Sequence, residues 1–248
     1  MTRRAALVAV LCAAGFLVLG ALVDHGSLTR VDQWCVANLM PWLAREPAPR
    51  RGFTRFVLPA SKDTLGGTLV ELWTYPAAVV PSLAAVAAAA EALRRRGAVR
   101  AAAAWLGAWA AANVVELIGK GVLVRPALFT HGRHVAPFDQ SYPSGHALRA
   151  LLLAAALAWT WRRGRLALAW ALSVPAALVA LGDHTPTDVA GGVLAGAAIA
   201  VAAASYARRS EPRWTTSPPT TVSSTGSPGS SSGSVSTGSS AKTVRSAR

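Results

Sequence analysis

Charge is scarce in this chain of 248 residues. Asp, Glu, Lys and Arg make up 15% of it, where a soluble domain carries about 25%. Cysteine is nearly absent. Cys12 falls inside an apolar stretch and Cys35 beyond it, so a disulfide framework is excluded and neither thiol is assigned a role. No stretch alternates polar and apolar residues over ten positions, which excludes the pattern of a membrane β-barrel. What is abundant is aliphatic: 52% of the residues are hydrophobic, with Ala, Val and Leu filling long runs. The solvent such a chain expects is a bilayer, in which about 20 apolar residues make one helical span.

The formal net charge is +14. A basic excess of that size raises the question of nucleic acid, but the arginines form short clusters between apolar stretches rather than a groove-sized stripe. Clusters at span ends are topology signals, and nucleic acid is not expected as a partner. Six apolar stretches run at about 5–23, 68–90, 99–118, 147–161, 166–181 and 189–206. Backbone groups in hydrocarbon must be satisfied internally, so these are expected to be helices. The first could be a secretory signal, but its apolar run is longer than the usual 7–15 residues, and Asp24-His25-Gly26 makes a poor cleavage site. A first transmembrane helix is the better reading.

Arg3 and Arg4, then Arg94, Arg95, Arg96 and Arg100, then Arg162, Arg163 and Arg165, then Arg208 and Arg209 flank the spans. Six spans with an inside N-terminus put all four groups on the cytoplasmic side. Segments 24–67, 121–145 and 182–187 then lie outside. The first holds Trp34, Trp42, Phe53 and Phe56 among charged residues; an interfacial amphipathic helix and a packed loop are both open there. Gly192 and Gly196 form a small-xxx-small pair, which reads as close helix packing and does not require dimerisation. From Ser210 the composition turns to Ser, Thr, Pro and Gly. Such a tail cannot bury a core and is expected to be disordered and cytoplasmic. The expected fold is therefore all-α, a six-helix transmembrane bundle over 1–209 with a disordered tail over 210–248.

Three short sequences meet at the outer face in this topology. Lys120 and Arg125-Pro126 follow the third span; Pro143-Ser144-Gly145-His146 precede the fourth; His184-Thr185-Pro186-Thr187-Asp188 join the fifth to the sixth. Ser144 is a good N-cap, and Gly145 admits close approach to the backbone. A helix start attracts an anion, and His146 in its first turn stands ready to transfer a proton near neutral pH. His184 and Asp188 stand four apart, so on a helix start they face the same side. A carboxylate there fixes the tautomer of the imidazole, and an oriented neutral imidazole is a competent nucleophile. The chain between His146 and His184 crosses the membrane and returns, which places both imidazoles at one depth. Glu116 lies one turn before Lys120, and its plain reading is an intrahelical ion pair. Charges at the edge of a span are functional candidates.

At these residues the sequence resembles the type 2 phosphatidic acid phosphatase family, relatives of the vanadium haloperoxidases. That family carries Lys-x6-Arg-Pro, Pro-Ser-Gly-His and Ser-Arg-x5-His-x3-Asp. The likeness runs from about Leu117 to Gly192, and the six-helix layout agrees. It implies that His184 is the nucleophile forming a phosphohistidine, that Asp188 orients it and that His146 is the general acid for the leaving alcohol. Lys120, Ser144 and the Gly145 N–H are implied to hold the phosphoryl oxygens. Two family arginines are displaced: Ala127-Leu128 stand at the Arg-Pro positions, with Arg125-Pro126 two residues early, and Ala177-Leu178 stand at the Ser-Arg positions. Arg125, Arg149 and Arg133 are the candidates to compensate, Arg149 lying one turn after His146.

The expected activity is hydrolysis of a lipid phosphate or diphosphate at the outer leaflet of the plasma membrane, with membrane lipids as surroundings and without metal or other cofactor. Two other readings stay open. A degenerate member would bind or move lipid phosphates without hydrolysis. A zinc site could draw on His131, His134, His146, His184 and Asp188.

Overall fold

The computed structural model describes residues 2–40, 43 and 64–209. These lie in one compact unit spanning Met1–Pro212. The tail from Ser210, and Trp42, Phe53 and Phe56, lie outside the described residues.

Among the described residues eight α-helices carry the fold: α1 (Arg3–Asp24), α2 (Thr29–Asn38), α3 (Leu65–Thr74), α4 (Val79–Arg95), α5 (Val99–Val122), α6 (Gly145–Thr160), α7 (Leu166–Leu181) and α8 (Pro186–Arg209). A two-residue hairpin, β1 (Phe129–Thr130) with β2 (Arg133–His134), interrupts the loop before α6. Local chemistry sets several ends. The side chains of Thr2, Thr64 and Ser144 accept from the N–H three residues on, capping α1, α3 and α6. At the end of α7, Gly182 takes φ 71°, the left-handed conformation that closes a helix and suits glycine.

The protein is membrane-embedded in character, and its spans depart from six uniform helices. By length and composition α1, α5, α7 with its leading turn, and α8 are each long and apolar enough to cross a bilayer. The expected second span is not one helix: α3 and α4 meet at a 45° bend across Tyr75–Ala78, and count as a fifth span only if taken together. The expected fourth span, α6, has 16 residues. At 1.5 Å per residue it measures about 24 Å, short of a hydrocarbon core of about 30 Å. Its position explains why it need not present a full lipid-facing length. Leu148, Leu152, Ala150 and Ala154 are fully buried, with α4, α5, α7 and α8 around them.

Polarity within the bundle is clear. At one end Arg96 donates to the carbonyl of Thr160 at 2.6 Å, and the Arg208 guanidinium stacks 5.2 Å from the Trp159 ring. At the other end the N–H of Val124 donates to Asp24 at 3.2 Å, and Tyr142 donates to the carbonyl of Phe16 at 2.7 Å. The arginine clusters thus share one end. The three motif segments share the other.

Helix α2 sits at the motif end. It buries Asp32, Cys35 and Val36 and leaves Trp34 exposed. Val36 and Met40 pack against Leu128 and Phe138, so this stretch is a docked helix with one free face.

Candidate active site

The site is built on two helix starts. Ser144 caps α6: its hydroxyl accepts from the N–H of Ala147 at 3.3 Å. Its own N–H donates to the carbonyl of Asp188, in the first turn of α8, at 2.9 Å. The Pro-Ser-Gly-His and His-x3-Asp segments are therefore joined through backbone. Gly192, one turn along α8, lies so close that a Cβ there would collide with the Ser144 carbonyl. The Gly192–Gly196 pair serves packing of α8 on α6 within the chain.

His184 stands just before α8 and lines a cavity of about 620 Å³ together with Lys120, Ser141, Asp139, Asp183 and Gln140. Its Nδ1 lies 3.7 Å from Asp188 Oδ2. That is beyond a hydrogen bond, and among the described residues the buried Nδ1 has no hydrogen-bond partner. Catalytic contacts are often long before substrate binds and tighten with it. His146, half-buried in the first turn of α6, is within electrostatic reach of His184, Lys120, Glu116 and Arg149.

Asp188 is fully buried and tightly held. Its Oδ2 accepts from the Ser141 hydroxyl at 2.7 Å and the Thr185 N–H at 2.9 Å. Its Oδ1 accepts from Arg125 at 2.7 Å. Arg125 is itself buried, and donates also to Thr185, Thr187 and Asp32. Arg125 is not among the residues lining the cavity.

Arg149 is likewise engaged. Its guanidinium pairs with Glu116, donates to Asn113 at 3.0 Å, and donates to the carbonyl of Ala77 at 2.9 Å. The last contact satisfies a backbone group near the bend between α3 and α4. Glu116 also takes Lys120 Nζ at 2.7 Å, the intrahelical pair its spacing suggested. Gly145 has a local role: a Cβ there would collide with the Glu116 carboxylate. The glycine lets Glu116 reach past the start of α6 to Arg149. Arg133 is exposed on β2. Among the described residues that line the cavity, Lys120 is the one permanent cation.

His131 and His134 are exposed on the hairpin, His134 pairing with Asp139 at 2.8 Å. Among the described residues no three His, Cys, Asp or Glu side chains gather as a metal site, so the zinc reading finds no set of donors there.

The sequence did not indicate Asp32 or Ser141. Asp32 is 93 residues from Arg125, and no local spacing ties an acid in one segment to a guanidinium in another. Ser141 lies two residues before a motif in a loop without periodicity. The scarcity of acid was the available signal. With 11 Asp and Glu in the chain, a buried one has a partner.

The sequence model of the PAP2 superfamily matches residues 101–212, the stretch that holds His146, His184, Asp188, Lys120 and both buried arginines. No curated protein and no solved structure matches the chain.

Proposed function

Because residues 101–212 match the sequence model of the PAP2 superfamily, whose members are phosphatase-type hydrolases in general, we propose that this protein hydrolyses a lipid phosphate or diphosphate at the outer leaflet of the plasma membrane. The observation that carries the reading is His184, which borders the same cavity as Lys120 and has Asp188 directly behind its Nδ1.

In this mechanism Nε2 of His184 attacks phosphorus, and the bond from phosphorus to the leaving oxygen breaks. His146 gives that oxygen its proton. Asp188 fixes the tautomer of His184 and stabilises its cationic form. Lys120 and the N–H groups at the start of α6 hold the equatorial oxygens, where donors aimed at developing charge lower the barrier most. Water then attacks the phosphohistidine, His146 takes a proton from it, and inorganic phosphate leaves. The arginine-rich end is cytoplasmic in this reading, as are the N-terminus and the tail.

A specific observation favours a second reading, a member that binds or moves lipid phosphates without cleaving them. The buried guanidinium groups of Arg125 and Arg149 are both tied into ion pairs, which leaves the cavity short of the cations a phosphoryl transition state calls for. The two readings separate in detergent-purified protein. Phosphate release from phosphatidate, phosphatidylglycerol phosphate or polyprenyl diphosphate, absent in His184→Ala, supports the enzyme, as does acid-labile phosphate trapped on His184. Saturable binding of these lipids with no release supports the second reading.

A further inference from the structure

We propose that Asp32 and Arg125 form a positioning relay behind the nucleophile, through which helix α2 holds the carboxylate that orients His184. This rests on the phosphatase reading above.

The relay is continuous. Arg125 donates to Asp188 Oδ1 at 2.7 Å, to the hydroxyls of Thr185 and Thr187 at 2.8 and 2.9 Å, and to Asp32 Oδ2 at 3.2 Å. Thr187 closes the ring by donating its hydroxyl to Asp32 Oδ2 at 2.7 Å and its N–H to Oδ1 at 3.4 Å. Asp32, Arg125 and Asp188 are 2%, 6% and 0% exposed. Three charges out of water are costly unless geometry and hydrogen bonds compensate, and the hydrogen bonds of this ring offset part of that cost.

The consequence is for orientation. Asp188 cannot turn without leaving Arg125 on one oxygen or Thr185 and Ser141 on the other. Arg125 cannot turn without leaving Asp32. Asp32 is carried on α2, whose Val36 and Met40 pack against Leu128 and Phe138. A segment remote in sequence therefore sets the direction from which a carboxylate faces His184. Partners behind a reacting group commonly matter 10- to 100-fold when they fix its orientation, as they do around metal ligands. The guanidinium points into the protein and does not line the cavity, so the relay requires no contact between Arg125 and phosphate.

The test uses the full chain in detergent, with phosphatidate and a polyprenyl diphosphate as probe substrates and His184→Ala as the blank. Arg125→Gln is expected to lower kcat by about 10- to 100-fold with KM within about twofold of wild type, and Arg125→Lys to recover part of kcat by keeping a cation beside Asp188. Asp32→Asn is expected to lower kcat by a smaller factor, again at constant KM. Should Arg125→Gln fail to fold, the pair Asp32→Asn with Arg125→Met removes two of the three buried charges and is read in the same way. A rise in KM at intact kcat would make Arg125 a phosphate ligand and overturn the relay. Unchanged kcat in the Arg125 variants overturns it as well. Absence of turnover in wild-type protein instead removes the phosphatase reading, and the relay with it.

Discussion

The N–H of Ser144 donates to the carbonyl of Asp188 at 2.9 Å, so the starts of α6 and α8 are fastened to each other by backbone rather than by side chains alone. His146 and His184 take their separation from that bond. Side-chain substitutions at the site leave it in place, whereas substitutions that push the two helices apart do not.

Gly192 is where the helices can be pushed apart. A methyl group there meets the Ser144 carbonyl. Gly192→Ala is therefore expected to lower stability by about 1–3 kcal/mol, the usual cost of overpacking, and to reduce phosphate release more than substitution of the exposed Leu172 on α7. Thermal unfolding and initial rates of the two variants check this. Equal behaviour would show that the α6–α8 spacing does not govern the site.

The two histidines are expected to differ in how they respond to the leaving group. Removing the nucleophile stops turnover of every substrate. Removing the general acid hurts poor leaving groups most, because only those need a proton as the bond breaks. His184→Ala should abolish phosphate release from both phosphatidate and nitrophenyl phosphate. His146→Ala should slow phosphatidate by about 10²- to 10⁴-fold and nitrophenyl phosphate far less. An equal loss on both substrates would remove His146 as the acid for the leaving group and place its contribution in the hydrolysis of the phosphohistidine, the step the two substrates share.

Much of this arrangement is legible in the sequence. The aliphatic runs give helices, the arginine clusters give a common end, and the residue order puts both histidines at the opposite one. The bend between α3 and α4 is not legible, because hydropathy counts apolar residues and is blind to a break within them. Nor is the shortness of α6, whose length is relaxed by burial among its neighbours. The arginines are legible in position but not in direction. Arg125 and Arg149 are placed near the site by their positions, but sequence cannot say which way a long side chain turns. Both turn toward carboxylates, the buried Asp32 and Asp188 in one case and the partly buried Glu116 in the other.

Arg149 supplies a second prediction of stability. It bridges Glu116, Asn113 and the carbonyl of Ala77, so its removal leaves a partly buried carboxylate with Lys120 alone and frees a backbone acceptor at the bend. Arg149→Ala is expected to cost about 3–5 kcal/mol. Pairing Arg149→Met with Glu116→Gln should recover most of that loss, since no carboxylate is then left without its guanidinium. Unfolding temperatures in one detergent check the pair. A double variant no more stable than Arg149→Ala would mean that the ion pair is not what Arg149 contributes.

Asp32 gives a dependence on pH with a definite sign. Burial pushes its carboxyl above the ordinary 3.8, outweighing the Thr187 hydroxyl and the Arg125 guanidinium, which pull it down. A carboxyl raised in the folded state binds its proton more tightly there than in the unfolded chain. Its contribution to stability is therefore complete below 3.8 and is lost as pH climbs through the raised value. Two carboxylates on one guanidinium make the physical reason plain, because Arg125 cannot neutralise Asp32 and Asp188 together. Asp32→Asn keeps a polar group beside Thr187 and cannot ionise. Relative to that variant, the wild-type unfolding temperature is expected to fall as pH rises from about 4, and the two should draw together toward the acid end. Parallel curves across the range would show that Asp32 does not change its charge in the folded protein.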